Sequence, residues 1–144
     1  MSNSSVGSFI GNIPLLIIPW ALYHVFMLGS GNMNAADYMD GSHATLFWYF
    51  TKGNLIVLLA ICLLYVEIYK STRTGQSSII DHMASMILFV VALVEFILMP
   101  QYAGCPSYFL LMMIMLVDVV GGFTVTIRGA RRDFGAGGGG IPMG

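Results

Sequence analysis

The chain has 144 residues, of which 57% are hydrophobic and only 9% charged, with a formal net charge of -1 and a mean hydropathy of +0.81. A soluble domain carries about 25% charged residues. This composition therefore excludes a separate soluble domain and points to one small helical bundle in a bilayer; with no basic patch or nucleic-acid motif, no nucleic-acid partner is expected.

The first apolar segment covers residues 9–28 and carries Trp20, Tyr23 and His24. The stretch before it lacks the positive start of a secretory signal, and Pro14 and Pro19 interrupt it, so the segment is expected to be retained. Gly7 and Gly11 stand at helix-packing spacing at its very start. A Gly/Asn/Asp-rich connection with Asp37, Asp40 and His43 leads to the second segment, residues 46–69. That segment holds Lys52, Asn54, Cys62 and Glu67, and Lys70 follows three residues after Glu67, within reach on one helix face. The third segment, residues 79–99, carries a stripe at helical spacing: Asp81, Ser85, Leu88, Ala92 and Glu95. Such a stripe marks the face that packs on other helices. Asp81, at the predicted helix start, is expected to complement the helix dipole as a cap. A tight loop with Pro100 and Cys105 precedes the fourth segment, residues 108–127, which has Asp118 near its middle and Gly121 and Gly122 one turn on.

Each segment is close to the ~20 residues that cross ~30 Å of hydrocarbon, and continuous apolarity favours helices, which satisfy their own backbone in lipid. Lys70, Arg73, Arg128, Arg131 and Arg132 all follow the second or fourth segment, and the other two connections hold no Lys or Arg. The positive-inside rule then predicts an all-α integral membrane protein: a four-helix transmembrane bundle with both termini cytoplasmic. Residues 1–134 form the membrane domain, and residues 135–144 are a glycine-rich tail expected to be flexible. Cys105 is expected on the outer side, open to an impermeant reagent.

The polar residues inside the apolar segments need an explanation. Counting 1.5 Å per residue puts Lys52 roughly 9 Å, and Glu95 and His24 roughly 7 Å, below the outer boundary. A Lys52–Glu95 ion pair with His24 nearby would make that level tolerable; Lys52 snorkelling along its own stem is the plain alternative. Asp118 costs several kcal/mol at its depth unless paired, protonated or wetted. The small residues Gly121 and Gly122 let a neighbouring backbone approach, so Asp118 is expected to face protein, with Tyr23, His24 or a group on another subunit as partner.

No nucleophile–base pair, phosphate loop or metal-ligand spacing occurs, and the three histidines are too dispersed for a common site, so neither cofactor nor metal is expected. The eleven methionines do not share one face and fit core packing. The stretch from Leu116 to Asp133, with Glu67–Gly75 and Ile80-Asp81-His82, resembles small, uncharacterised four-span bacterial membrane proteins over the last two-thirds of the chain. The resemblance implies a bacterial inner membrane and no particular substrate. The expected role is an accessory or assembly subunit of a larger membrane complex, in contact with lipid and with other membrane subunits or copies of itself. The competing expectation is an oligomeric proton- or ion-coupled transporter or channel that uses Asp118 and the Lys52/Glu95/His24 level.

Overall fold

The computed structural model describes residues 13–31, 33–41, 45–47, 50–72 and 76–136. They are mostly helical: α1 (Ile17–Leu28), a π-helical turn (Ala36–Asp40), a two-stranded antiparallel pair β1 (Thr45–Phe47) and β2 (Phe50–Thr51), then α2 (Lys52–Ser71), α3 (Gln76–Leu98) and α4 (Pro106–Ala136). In the strand pair, Thr45 faces Thr51 and Phe47 faces Phe50. Stretches of α2, α3 and α4 (Lys52–Ser71, Ile80–Leu98 and Pro106–Val125) are long and apolar enough to cross a membrane, and α1 is a shorter apolar helix.

Local chemistry sets these bounds and moves several predicted ones. The second helix begins at Lys52, not at residue 46, because Thr51 is an N-cap whose Oγ1 accepts from the Asn54 N–H at 3.1 Å. Lys52 therefore lies at a helix end, not some way down a span. Helix α3 begins at Gln76, so Asp81 lies in its second turn and cannot cap it. Helix α4 opens on Pro106, whose fixed φ and missing N–H suit a first helical position. It continues past residue 127 through Gly135 to Ala136, so the tail predicted to start at 135 is helical for two residues more; 137–144 lie outside the described residues. Gly104, with φ at 78°, makes the turn before α4 in a conformation that side chains with a Cβ rarely adopt. The Gly7/Gly11 pair and His43 also lie outside the residues whose side chains are described.

Helix α4 is the one on which α2 and α3 pack, and α1 lies against α2. The predicted stripe on α3 is its inward face: Asp81, Ser85, Leu88 and Ala92 are buried and Glu95 is partly so. The opposite face of α3 exposes Met83, Met86, Ile87, Val90, Val94 and Ile97. Exposed Leu55, Leu58 and Ile61 on α2, and Leu110, Val117 and Val120 on α4, continue this apolar exterior. The core holds Leu16, Tyr23, Met39, Ile56, Ala60, Tyr108, Leu111 and Met115. Large apolar side chains outside and ionisable ones inside invert the arrangement that water selects.

Segment 13–28 runs the same course as the long helices. At one end the Leu15 N–H donates to Glu67 Oε2 at 3.2 Å, and the Ile13 carbonyl accepts from Lys70 at 3.3 Å. At the other end Trp20 and Tyr23 bond to residues near the α3–α4 connection. Helix α1 alone, 12 residues or about 18 Å long, is shorter than a span, and turns at Pro14–Leu16 supply the rest of that course.

Candidate functional site

Two enclosed polar centres occupy opposite ends of the bundle. The first is built around Glu95, near the end of α3. Its Oε2 accepts from Trp20 Nε1 at 3.0 Å and from the Tyr108 hydroxyl; its Oε1 lies 3.3 Å from His24 Nε2. The other ring nitrogen of His24, Nδ1, is 2.9 Å from the Trp20 carbonyl, and a contact with a carbonyl requires Nδ1 to carry hydrogen. Aromatic rings wall the site: Tyr102 stacks on Tyr108 at 4.6 Å, and Trp20 lies 4.4 Å from His24.

A loop carboxylate ties this end together. Asp40 Oδ2 accepts from the Ser107 N–H at 2.9 Å, capping α4 from a distance, and from the Cys105 thiol at 3.2 Å. Tyr23 completes the group, with its hydroxyl 2.8 Å from Cys105 Sγ and 3.3 Å from Ser107 Oγ. Gly53 makes room for it, because a Cβ there would collide with Asp40 and Ser107. Cys105 is thus buried, not the accessible loop thiol expected from sequence. Burial pushes the Cys105 thiol and the Tyr102 phenol above their ordinary values. A cavity of about 550 Å³ opens beside this centre, lined by His24, Val25, Ser30, Asn34, Gln101 and Tyr102.

Lys52 is not part of the Glu95 centre. Its ammonium sits over the Tyr38 ring, 3.5 Å from the centroid, and contacts the Tyr38 carbonyl at 3.5 Å. The pair expected with Glu95 is replaced because Lys52 begins its helix, while two neutral donors, Trp20 and Tyr108, already serve the carboxylate.

The second centre lies between the end of α2, the start of α3 and the middle of α4. Lys70 Nζ is 3.0 Å from Glu67 Oε1 and 2.9 Å from Asp81 Oδ2, joining α2 to α3. Asp81, expected as a helix cap, is instead half of this ion pair. Asp118 is 2% exposed and faces Ser85 and His82 of α3, with Asp81 and Lys70 beyond them. It does not meet Tyr23 or His24, and it is enclosed by its own chain. The His82 ring lies against Gly122, one turn along α4 from Asp118, where a Cβ would collide with it. Gly121 differs: the nearest atom to a Cβ there is Ile68 Cγ1 at 4.0 Å.

An apolar layer separates the centres. Leu88 and Ala92 of α3, Ile56 and Ala60 of α2, and Leu111 and Met115 of α4 are all buried between them. Ser85 and Glu95 are ten residues apart on one helix, or about 15 Å. Sequence reasoning found His24, Glu95 and Asp118 but missed that Trp20 and Tyr108 are donors, and that Lys70 joins Asp81. Among the described residues, no group of three or more His, Cys, Asp or Glu is placed to hold a metal ion.

Fold and centres together define a class: a mostly helical chain with three helices long and apolar enough to cross a membrane, apolar on the exposed faces of those helices and with Glu67, Asp81, Glu95 and Asp118 turned inside. No family model, curated protein or solved structure matches it.

Proposed function

We propose that the chain is a small four-span protein of the bacterial inner membrane, with both termini cytoplasmic, that serves as an accessory or assembly subunit of a larger membrane complex. The observation that carries this reading is where the polarity lies. Glu67, Lys70, Asp81, Glu95 and Asp118 are turned into the chain, while the exposed large side chains of α2, α3 and α4 are apolar. An apolar lateral surface of that kind suits contacts made sideways within the bilayer. The course of segment 13–28 beside the three long helices supports a fourth span. Lys70, at the end of α2, and Arg128 and Arg131, toward the end of α4, support a common cytoplasmic side. Gentle extraction in native-lipid particles, followed by mass measurement, tests the role. The expected result is a particle heavier than one chain with a defined companion; a lone monomer at every lipid ratio would contradict it.

The cavity beside His24 favours a second reading, an oligomeric proton- or ion-coupled transporter entered from that end. The apolar layer between the centres weighs against it. Proton flux in liposomes, lost in Glu95→Gln, is its expected signature; no flux in the wild type would remove it.

A further inference from the structure

The cavity beside His24 lies between the end of α1 and the α3–α4 connection, and its volume of about 550 Å³ is that of a small-molecule site. Its lining divides in two. Val25, Leu28 and Met33 are apolar and exposed, so that side opens along the apolar exterior of the chain. The other side offers Ser30, Asn34 and Gln101, whose hydroxyl and amide oxygens accept hydrogen bonds. The Ser30 hydroxyl already donates to the Met27 carbonyl at 2.7 Å, which leaves its oxygen as an acceptor. Among the described residues, no Lys or Arg lines the cavity.

The electrostatics of this wall favour a cation. Helix α1 ends at the cavity with no basic residue in its last turn, so no side chain there offsets the negative end of its dipole. Glu95 stands behind the His24 ring, with Oε1 at 3.3 Å from Nε2. With Glu95 ionised, a neutral His24 leaves a negative charge at the wall and a protonated one cancels it; neither state makes the wall positive. Lys52, at the same end of the bundle, keeps its ammonium over the Tyr38 ring and does not line the cavity. A phosphate or carboxylate thus finds no counter-charge here. We infer that the cavity binds a primary ammonium group carried by an amphiphile, of the kind an ethanolamine phospholipid presents. The ammonium N–H groups donate to the oxygens of Ser30, Asn34 and Gln101, and the apolar part lies over Val25, Leu28 and Met33. A quaternary ammonium has the same charge but no N–H to donate, so it is the discriminating comparison. The choice of an amphiphile rests on the bilayer location proposed above and not on a companion subunit.

Native mass spectrometry of the full chain tests it, with the protein released from micelles that hold equal amounts of an ethanolamine and a choline phospholipid with the same acyl chains. Both lipids are zwitterionic, so phosphate contacts with Arg128 or Arg131 at the far end of α4 do not distinguish them. The ethanolamine lipid is expected to be retained roughly tenfold more tightly, as one charge-assisted hydrogen bond implies. Asn34 is exposed, so substitution there leaves the core untouched. Asn34→Lys sets a fixed ammonium at the lining and should erase the preference, whereas Asn34→Asp should sharpen it. Equal retention of the two lipids by the wild type, or a preference for the choline lipid, overturns the proposal whether or not the variants fold. A preference that Asn34→Lys leaves unmoved places the lipid elsewhere and overturns it equally. Free ethanolamine that displaces the lipid at equal concentration overturns the amphiphile, because the apolar side then contributes nothing. A lone monomer that keeps the preference contradicts the accessory role alone, and a particle with a companion but no preference contradicts this site alone.

Discussion

Two adjacent glycines on α4 should respond in opposite ways to the same substitution. At Gly122 an added Cβ would run into the His82 ring, which is 2% exposed and held between α3 and α4. A ring so enclosed cannot swing away, so the helices must part or the ring must leave its contacts. Overpacking of this kind costs about 1–3 kcal/mol. At Gly121 the nearest atom to a new Cβ is Ile68 Cγ1 at 4.0 Å, an ordinary contact. Both substitutions gain roughly 0.5–1 kcal/mol because Ala suits a helix better than Gly. That gain cancels when the two variants are compared, leaving Gly122→Ala about 1–3 kcal/mol less stable than Gly121→Ala. Reversible unfolding in mixed micelles by added denaturing detergent, followed by circular dichroism, measures the difference. Equal stabilities for the two variants would refute the close approach of α3 to α4 at His82.

Glu95→Leu orphans the Trp20 and Tyr108 donors, at about 1–3 kcal/mol for each buried group left unsatisfied, whereas Glu95→Gln keeps an acceptor oxygen for both. Stability and Trp emission should therefore change strongly for Leu and weakly for Gln; the reverse order would remove Glu95 from the hub of its centre. Cys105 should resist an impermeant thiol reagent in the folded protein and react on unfolding, because it is buried and its thiol is pushed up by that burial. Since only the thiolate reacts, labelling of folded Cys105 should be slower than that of a free thiol at every pH from 7 to 9 and should keep rising steeply toward pH 9, where a free thiol near its ordinary pKa of about 8.5 begins to level off. Rapid labelling of folded Cys105 at neutral pH would show that its contacts with Asp40 and Tyr23 do not persist.

Composition and periodicity were enough to read the helical class and the three helices long and apolar enough to cross a membrane, because length and apolarity are properties of single segments; the first segment, read as a span over residues 9–28, holds a helix of only 12 residues. The inward face of α3 was legible for the same reason: Asp81, Ser85, Leu88, Ala92 and Glu95 repeat at helical spacing. The partners of the polar residues were not legible, since they depend on which helix ends meet. Lys52 illustrates this. Its predicted depth came from a span starting at 46, and the Thr51 cap moved that start by six residues and took the ammonium to Tyr38. Asp81 erred in the opposite sense, because α3 began earlier than its apolar pattern and carried the carboxylate inward to Lys70. Trp20 and Tyr108 looked like interface aromatics; nothing in sequence distinguishes a ring that faces lipid headgroups from one that donates to a carboxylate 75 residues away.

The central claim is that ionisable groups in this apolar chain are bonded within one copy of it, leaving the exterior for lipid and partners. A double-mutant cycle between Lys70→Met and Asp81→Asn, run in bilayers at increasing lipid dilution, tests it most directly. Polar contacts between membrane helices couple by about 0.6 kcal/mol on average and up to about 1.7, and this pair, at 2.9 Å with both side chains largely enclosed, should lie in the upper part of that range. A coupling that stays constant on dilution is the expected result. A coupling near zero, or one that fades as copies are diluted apart, would contradict the account.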